Sequence, residues 1–261
     1  MPPRPTLERW STAITRIAPG EIAYRGTPIE DVMESWGFPA TVWLLITGAQ
    51  PTPEQEDALR RVLVAACDHG LAAPSIAAAR TCASTRGAPG AAMAAGLLAF
   101  AGPAHGGAAG ACAEVLIEIR DAGAAWPVAP AEVTRLVLER LARGERIPGF
   151  GHPYHPRDPR VPGLMSAPLP EDGYRTLVQA VEDAIVTAKG PKLHMNADAA
   201  VAALMMDAGL HPSAIDLMTS IGRCVGLAAH VHEETINEAP FRAPSLSSID
   251  YTGPVPVAGG R

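Results

Sequence analysis

The chain has 261 residues, of which 48% are apolar, 5% are aromatic and 18% are charged, and its net charge is −6. Charge is too low and apolar content too high for a disordered chain, and the length suits one large domain or two small ones. The acidic balance, without a basic stripe, excludes the usual composition of a nucleic-acid-binding protein.

The commonest residue is alanine, the best helix former, so the sequence predicts a mainly helical protein. An exception comes first along the chain, where residues 13–25 alternate in polarity and Pro19-Gly20 could turn a short hairpin. The proline- and glycine-rich end, residues 239–261, predicts an extended arm. Helices are predicted at 28–36, 38–47, 52–69, 74–85, 89–101, 106–122, 128–143, 171–189, 194–208 and 213–236.

No segment predicts membrane insertion or secretion. The longest apolar run, residues 91–104, is too short to span a bilayer, and residues 1–10 lack the apolar stretch of a signal peptide. The four cysteines are far apart and lie in helix-like stretches, which favours reduced core thiols: Cys67, Cys82, Cys112 and Cys224. We therefore expect a cytoplasmic protein with neither a membrane nor a nucleic acid as partner.

Common catalytic signatures are absent from the sequence. There is no GxxxxGK(S/T) phosphate loop, no complete GxGxxG, no HExxH and no GxSxG. A histidine metal site formed by His152, His155 and His194 is conceivable. No carboxylate or cysteine stands at ligand spacing beside these histidines, so we expect no bound metal.

Several polar residues instead lie in glycine-rich or apolar surroundings. His69 ends a helical stretch in Asp-His-Gly, His105 lies in GPAHGGA before another helix, and His152 lies in PGFGHPYH. Glycines let a ligand approach the backbone closely. A histidine at a helix N-terminus tends to stay neutral and can donate a hydrogen bond to a developing oxyanion.

Two charged residues stand in apolar helical stretches. Asp198, in MNADAAVAALMM, predicts either a functional base or a helix N-cap, and Arg223 needs an anion if it is buried. Plainer interpretations also exist: His69 could cap a helix C-terminus, where its charge would interact favourably with the helix dipole, and Arg160 could be a surface charge. Taken together, the histidines, the carboxylate and the arginines suit enolate chemistry on a substrate that bears carboxylates.

In order along the chain, these segments resemble the signatures of the citrate synthase superfamily: DHG, GPAHGGA, IPGFGH followed by DPR, NxD, IGR and the closing EAPFRAPSLSSIDYTG. The resemblance runs from about residue 13 to 253. It implies an all-α, citrate synthase-like multi-helical fold with a short N-terminal β-hairpin, in a minimal form. The implied organisation is a single unit over residues 1–261, with a large helical core, a small subdomain around 110–220 and the arm 239–261.

The resemblance also implies roles for individual residues. His105 would stabilise the thioester oxygen, His152 would take the proton of the citryl-CoA hydroxyl, and Asp198 would protonate carbon. The residues matching the family's substrate contacts are His69, Arg160 and Arg223. Arg242 either reaches a carboxylate in a neighbouring subunit or is a surface arginine.

Coenzyme A phosphates need cations, for which Lys192 and Arg157 are the candidates. No permanently bound cofactor is implied, since the coenzyme A thioester is itself the substrate. The family implies small-molecule substrates as partners and a homodimer.

Two features narrow the resemblance. The chain is short, and the third motif reads GHPYHPRDPR where most synthases carry an arginine after the histidine. Both features are similar to the short citryl-CoA lyases, which resemble the C-terminal module of ATP-citrate lyase. The expected reaction is cleavage of (3S)-citryl-CoA to acetyl-CoA and oxaloacetate. The alternatives are a synthase-type acyltransferase that condenses an acyl-CoA with a 2-oxo acid, and a non-catalytic coenzyme A-binding subunit of a larger complex.

Overall fold

The computed structural model describes residues 10–170 and 173–254. It begins with a small antiparallel sheet in the order β1-β2-β3, formed by Thr15–Ala18, Glu21–Tyr24 and Thr27–Pro28. Gly20 supplies the turn of the β1–β2 hairpin in the left-handed region, with φ of +75°. The hairpin lies where the sequence predicts it. The third strand was not predicted, because two residues are too few to show a pattern.

Eleven α-helices follow in the described residues. Their bounds are α1 Ile29–Ser35, α2 Phe38–Thr47, α3 Pro53–Ala66, α4 Pro74–Ser84, α5 Pro89–Phe100, α6 Ala108–Ala122, α7 Pro130–Ala142, α8 Val161–Met165, α9 Tyr174–Lys189, α10 Ala197–Asp207 and α11 Ile215–Asn237. Ten of these correspond to predicted helices, and the predicted all-α fold is confirmed. The exception is α8, which has only five residues, Pro162 and Gly163 among them.

Proline residues mark where many of these helices begin. In α3 the Thr52 side chain accepts a hydrogen bond from the Gln55 backbone N–H, and the Gln55 side chain reaches back to the Thr52 backbone. Pro53 then occupies the first turn, where its missing N–H costs nothing. Helices α2, α4, α5 and α7 also carry proline in their first turn, so the sequence defines most helix starts locally.

The larger apolar core surrounds α10, which packs against α3, α6, α8 and α9. Almost the whole circumference of α10 is buried, and much of that surface is alanine. A second, smaller core joins α4, α5 and α11 through Ile76, Leu227 and Val231. The predicted small subdomain around 110–220 stays a prediction.

Helix α11 lies very close to the end of α3 because of two glycines. A Cβ on Gly226 would overlap the carbonyl oxygen of Cys67, and a Cβ on Gly222 would lie 2.6 Å from the carbonyl oxygen of Leu63. The Gly226 N–H donates to the Cys67 carbonyl at 3.1 Å. This close approach brings Arg223, between the two glycines, next to the segment that carries His69.

The C-terminal segment leaves α11 and is attached near its start. Phe241 N–H donates to the Ser84 carbonyl, and Arg242 N–H donates to Ser84 Oγ. The Arg242 side chain pairs with Glu234, which is fully buried and also pairs with Arg80. Beyond this attachment the described residues are largely exposed and contain one short 3-10 helix, Leu246–Ser248. The last part of the predicted arm, 255–261, lies outside the described residues.

All four cysteines are free thiols. Within residues 10–170 and 173–254, none of the helices combines the length and the apolar character that a membrane crossing requires.

Candidate active site

A cavity of about 730 Å³ opens where the ends of α3 and α5 meet α10, α11 and the loop before α8. Six residues singled out in the sequence line it together: His69, His105, His152, Arg160, Asp198 and Arg223. The other three predicted site residues do not line it: Arg157, Lys192 and Arg242. Residues separated by more than 150 positions in the sequence thus converge on one site.

His105 lies in the tight turn between α5 and α6. Gly106 allows this turn, because a Cβ there would overlap the Phe100 ring. The His105 Nε2 atom lies 2.9 Å from the hydroxyl of Ser75, a fully buried residue of α4, and the Phe100 ring packs edge-on against the imidazole. Burial and the Arg223 charge lower the pKa of His105, so the ring is held neutral. Ser75 was not identified from the sequence.

The hydrogen bonds of His152 define its tautomer. Its Nδ1 atom accepts the backbone N–H groups of Tyr154 and His155, each at 3.1 Å. The proton of the neutral ring is therefore on Nε2. Since Nε2 lies 3.1 Å from Nε2 of His69, the His69 atom is the acceptor of that bond. Burial is the main cause that lowers the pKa of both rings.

The loop that carries His152 is fastened to the start of α10. Phe150 and Met195 form an antiparallel bridge, Gly151 N–H donates to the His194 carbonyl at 2.7 Å, and Asn196 N–H donates to the Gly149 carbonyl at 2.9 Å. The Asn196 side chain then caps α10 by accepting the Asp198 backbone N–H at 2.9 Å. The positions of two predicted catalytic side chains are thus linked through the backbone.

Asp198 is a carboxylate in largely apolar surroundings. No hydrogen bond reaches its carboxyl oxygens from the described residues, whereas Asn196 satisfies its backbone N–H. Burial raises its pKa to about 6, and the negative charges of Asp158 and Asp216 act in the same direction. A carboxyl group that exchanges its proton near neutral pH suits general acid–base catalysis.

Arg160 is oriented by a buried acid. Asp158 accepts from Arg160 Nε at 2.9 Å and from Nη2 at 2.7 Å, and it also accepts the Ala197 backbone N–H at 2.9 Å. Burial opposes ionisation, but the hydrogen bonds from Arg160 and Ala197 hold the pKa of Asp158 at about 2. The sequence indicated Arg160 and missed the role of Asp158, although both stand in the same DPR motif.

Arg223 differs from Arg160 because no carboxylate pairs with it in the described part of the chain. It is only 3% exposed, and its Nε and Nη1 atoms are buried without hydrogen-bond partners. The guanidinium lies 4.8 Å from the centre of the Phe100 ring. Unsatisfied buried donors are costly, so this side chain is arranged for an anion that enters the cavity.

The remaining predicted residues lie elsewhere. Arg242 pairs with Glu234 of its own chain, while Lys192 and Arg157 are exposed. Arg146 lines the cavity and is exposed, although the sequence did not single it out. The roles predicted for Arg242, Lys192 and Arg157 stay predictions.

The histidine grouping differs from the one considered as a metal site. His194 does not join His152 and His155, because its Nδ1 atom lies 2.8 Å from the Glu182 carboxylate. The side chains that come together are His69, His152 and His155, whose ligand atoms lie within 4.8 Å of one another. The proton on His152 Nε2 occupies the lone pair that a metal would need. The expectation of no bound metal stays a prediction.

Comparison with known proteins identifies relatives of this chain. Residues 48–243 match the sequence profile of the citrate synthase C-terminal domain. The chain is 30% identical to citrate synthase 2 of Bacillus subtilis over 87% of its own length and 59% of that protein, and 30% identical to citrate synthase of Haloferax volcanii over 80% and 55%. It therefore spans less than three fifths of the length of these relatives.

Solved structures also match this chain. Citryl-CoA lyase from Hydrogenobacter thermophilus is 33% identical, with a TM-score of 0.86 over 96% of this chain and 97% of that one. A ternary complex of carboxymethyl coenzyme A and oxaloacetate with citrate synthase from Thermoplasma acidophilum shares the fold at 24% identity, with a TM-score of 0.69 over 85% of this chain and 59% of that one. The family profile covers most of the chain, and the chain belongs to the citrate synthase family.

Proposed function

We propose that this protein is an enzyme acting on coenzyme A thioesters, which cleaves (3S)-citryl-CoA to acetyl-CoA and oxaloacetate. The observation that carries the proposal is the guanidinium of Arg223, whose Nε and Nη1 atoms have no hydrogen-bond partner among the described residues. It faces the same cavity as two neutral histidines and a carboxyl group with a pKa of about 6. Similarity to a citryl-CoA lyase over nearly the full length of both chains supports the choice of reaction.

Cleavage breaks the bond between the hydroxyl-bearing carbon and the methylene carbon next to the thioester. The bonding electrons pass into the thioester, which becomes an enolate. In our proposal His105 donates a hydrogen bond to the enolate oxygen, and protonated Asp198 gives its proton to the methylene carbon to form acetyl-CoA. The raised pKa of Asp198 is what keeps that proton available near pH 6.

The hydroxyl oxygen must lose its proton to become the carbonyl of oxaloacetate. The sequence-based expectation that His152 takes this proton is at odds with the tautomer, because Nε2 already bears a proton and Nδ1 accepts two backbone N–H groups. In our proposal His152 donates a hydrogen bond to the oxygen as negative charge develops there. His69 Nε2, the acceptor in the same pair, receives the proton. Arg160 and Arg223 bind the carboxylates of oxaloacetate.

Cations and exposed apolar groups suggest where coenzyme A and a second subunit would bind. Three cations would pair with coenzyme A phosphates. Arg146 lines the cavity, Arg157 lies in the loop before α8, and Lys192 precedes α10 in the sequence. The arm beyond Arg242 exposes Leu246 and Tyr251, which supports the proposal of a homodimer. Mass photometry of the purified chain tests that assembly.

A second candidate is favoured by the curated relatives, which are named citrate synthases. A synthase would condense acetyl-CoA with oxaloacetate and then hydrolyse the thioester. Both reactions pass through the same enolate, so the site residues serve either direction.

The experiment supplies citryl-CoA and follows oxaloacetate through malate dehydrogenase and NADH oxidation. We expect rapid oxaloacetate release, which Asp198→Asn reduces by at least about 10²-fold. The parallel assay supplies acetyl-CoA and oxaloacetate and measures free thiol and free citrate. Free citrate in this assay, without release of oxaloacetate from citryl-CoA in the first, would refute the lyase in favour of the synthase. Absence of turnover in both assays would instead favour a non-catalytic subunit, and unchanged turnover of Asp198→Asn would refute the role given to Asp198.

A further inference from the structure

Glu182 is a buried acid that the proposed reaction does not use. It lies on α9, is 8% exposed, and accepts three hydrogen bonds. Its Oε1 atom accepts from the Met195 backbone N–H at 3.0 Å and from His194 Nδ1 at 2.8 Å, and its Oε2 atom accepts from Gln179 Nε2 at 2.8 Å. No arginine or lysine pairs with it among the described residues, and α9 does not line the cavity.

The segment that Glu182 binds is the one fastened to the His152 loop on its other side. There the Gly151 N–H donates to the His194 carbonyl, and Asn196 Nδ2 donates to the Gly151 carbonyl at 2.9 Å. The residue after Gly151 is His152, and two residues after Asn196 comes Asp198. The Glu182 carboxylate therefore holds, on the side away from the cavity, the backbone that carries His152 and Asp198.

This anchor matters because the segment has little regular structure of its own. Residues 190–196 lie between α9 and α10 and form only one isolated β-bridge. From α9, Glu182 supplies this segment with two hydrogen bonds to one carboxyl oxygen, and hydrogen bonds to a carboxylate are roughly twice as strong as neutral ones. Misplacing a catalytic group by about 1 Å can reduce a rate about 10²-fold.

We infer that Glu182, together with His194, is a positioning residue that holds His152 and Asp198 in the geometry of the reaction. This inference rests on the proposed function for its kinetic consequence. Its structural consequence, an anchored 193–196 segment, is independent of any activity.

The test compares Glu182→Ala with Glu182→Gln, which keeps one acceptor oxygen for the Met195 N–H. The matched control is Asp207→Ala, since Asp207 is another acid with a mostly buried side chain, which pairs with Arg175 at the far end of α10. We expect kcat for citryl-CoA cleavage to fall about 10- to 100-fold in Glu182→Ala with little change in KM, and about threefold or less in Glu182→Gln. Asp207→Ala should lower the melting temperature comparably and leave kcat within about twofold of wild type.

Hydrogen–deuterium exchange supplies a readout that needs no substrate. Peptides covering 149–152 and 193–198 should exchange faster in Glu182→Ala than in wild type. The exchange rates of the same peptides should be unchanged in Asp207→Ala. If Glu182→Ala does not fold, His194→Ala removes one of the three hydrogen bonds and should show a smaller effect of the same kind. Unchanged exchange in both segments, or an equal loss of kcat in Asp207→Ala, would overturn the inference. Failure of wild type to cleave citryl-CoA would overturn the proposed function and leave the exchange result standing.

Discussion

Replacing Asp198 by asparagine should make the folded protein more stable while removing its activity. The pKa of Asp198 rises from 3.8 to about 6 in the folded protein, mainly through burial. At about 1.4 kcal/mol per pKa unit, the ionised carboxylate then destabilises the folded state by about 3 kcal/mol at pH 7. Asparagine has nearly the same shape and no charge, so Asp198→Asn escapes this penalty.

The pH dependence of the gain follows from proton linkage. Between pH 3.8 and about 6 the folded protein keeps a proton that the unfolded chain has lost, so wild-type stability falls as pH rises through this interval. Below pH 3.8 the folded and unfolded states of wild type both carry the proton, so the variant has no advantage in stability. Above about pH 6 the advantage of Asp198→Asn is constant at its full value.

Urea unfolding of both proteins at a series of pH values from about 4 to 8 measures the difference in free energy. Asp183→Asn, which changes an exposed carboxylate on α9, is the matched control for the loss of one negative charge. A variant that is equally stable or less stable than wild type at pH 7.5 would refute the reasoning, as would a gain that is the same at pH 4 and pH 7.5.

Three further predictions concern the site in action. Cleavage needs protonated Asp198, so kcat/KM for citryl-CoA should fall as pH rises through about 6. Deuterium exchange of the acetyl-CoA methyl group needs the ionised form of Asp198, so its rate should rise over the same pH range. If the two rates changed with pH in the same direction, these roles of Asp198 would be contradicted. Arg223→Ala should weaken oxaloacetate binding about 10- to 100-fold in calorimetry, with Arg143→Ala as the surface control; unchanged affinity would show that the orphaned donors of Arg223 do not bind substrate. Ser75→Ala removes the hydrogen bond at Nε2 of His105 and should lower kcat about tenfold at constant KM in the coupled assay; a change in KM alone would contradict a role in orienting that ring.

The positions of most helices were predictable because proline residues stand at helix starts and glycine residues at helix ends. Pro53 follows a capping threonine and Gly48 ends α2 in the left-handed region, so both boundaries are local events. Helix α8 escaped prediction because it has only five residues, one of which is Gly163, whereas Leu164 packs into the larger core. Tertiary packing there overrides local propensity.

For the site, sequence motifs identified the side chains that reach the cavity but not the residues that hold them. The partners Ser75 and His105 are 30 positions apart, and Glu182 belongs to a helix that never touches the cavity. Neither position carries a local pattern that distinguishes it from an ordinary helix residue. The tautomer of His152 likewise depends on how the following two backbone N–H groups fold back, which no side-chain pattern reveals.

The alanine-rich packing of α10 also limits which amino-acid substitutions this protein can tolerate. Ala199, Ala200, Ala202 and Ala203 are completely buried in the larger core, and close-packed cores penalise larger side chains. A comprehensive substitution library should therefore find α10 among the least tolerant segments, with even alanine-to-valine changes depleted. The residues bordering the cavity from loops, such as Tyr154 and Arg146, are exposed and free of such crowding. Adaptation to new substrates would then proceed through the loops, while the helix that presents Asp198 stays fixed.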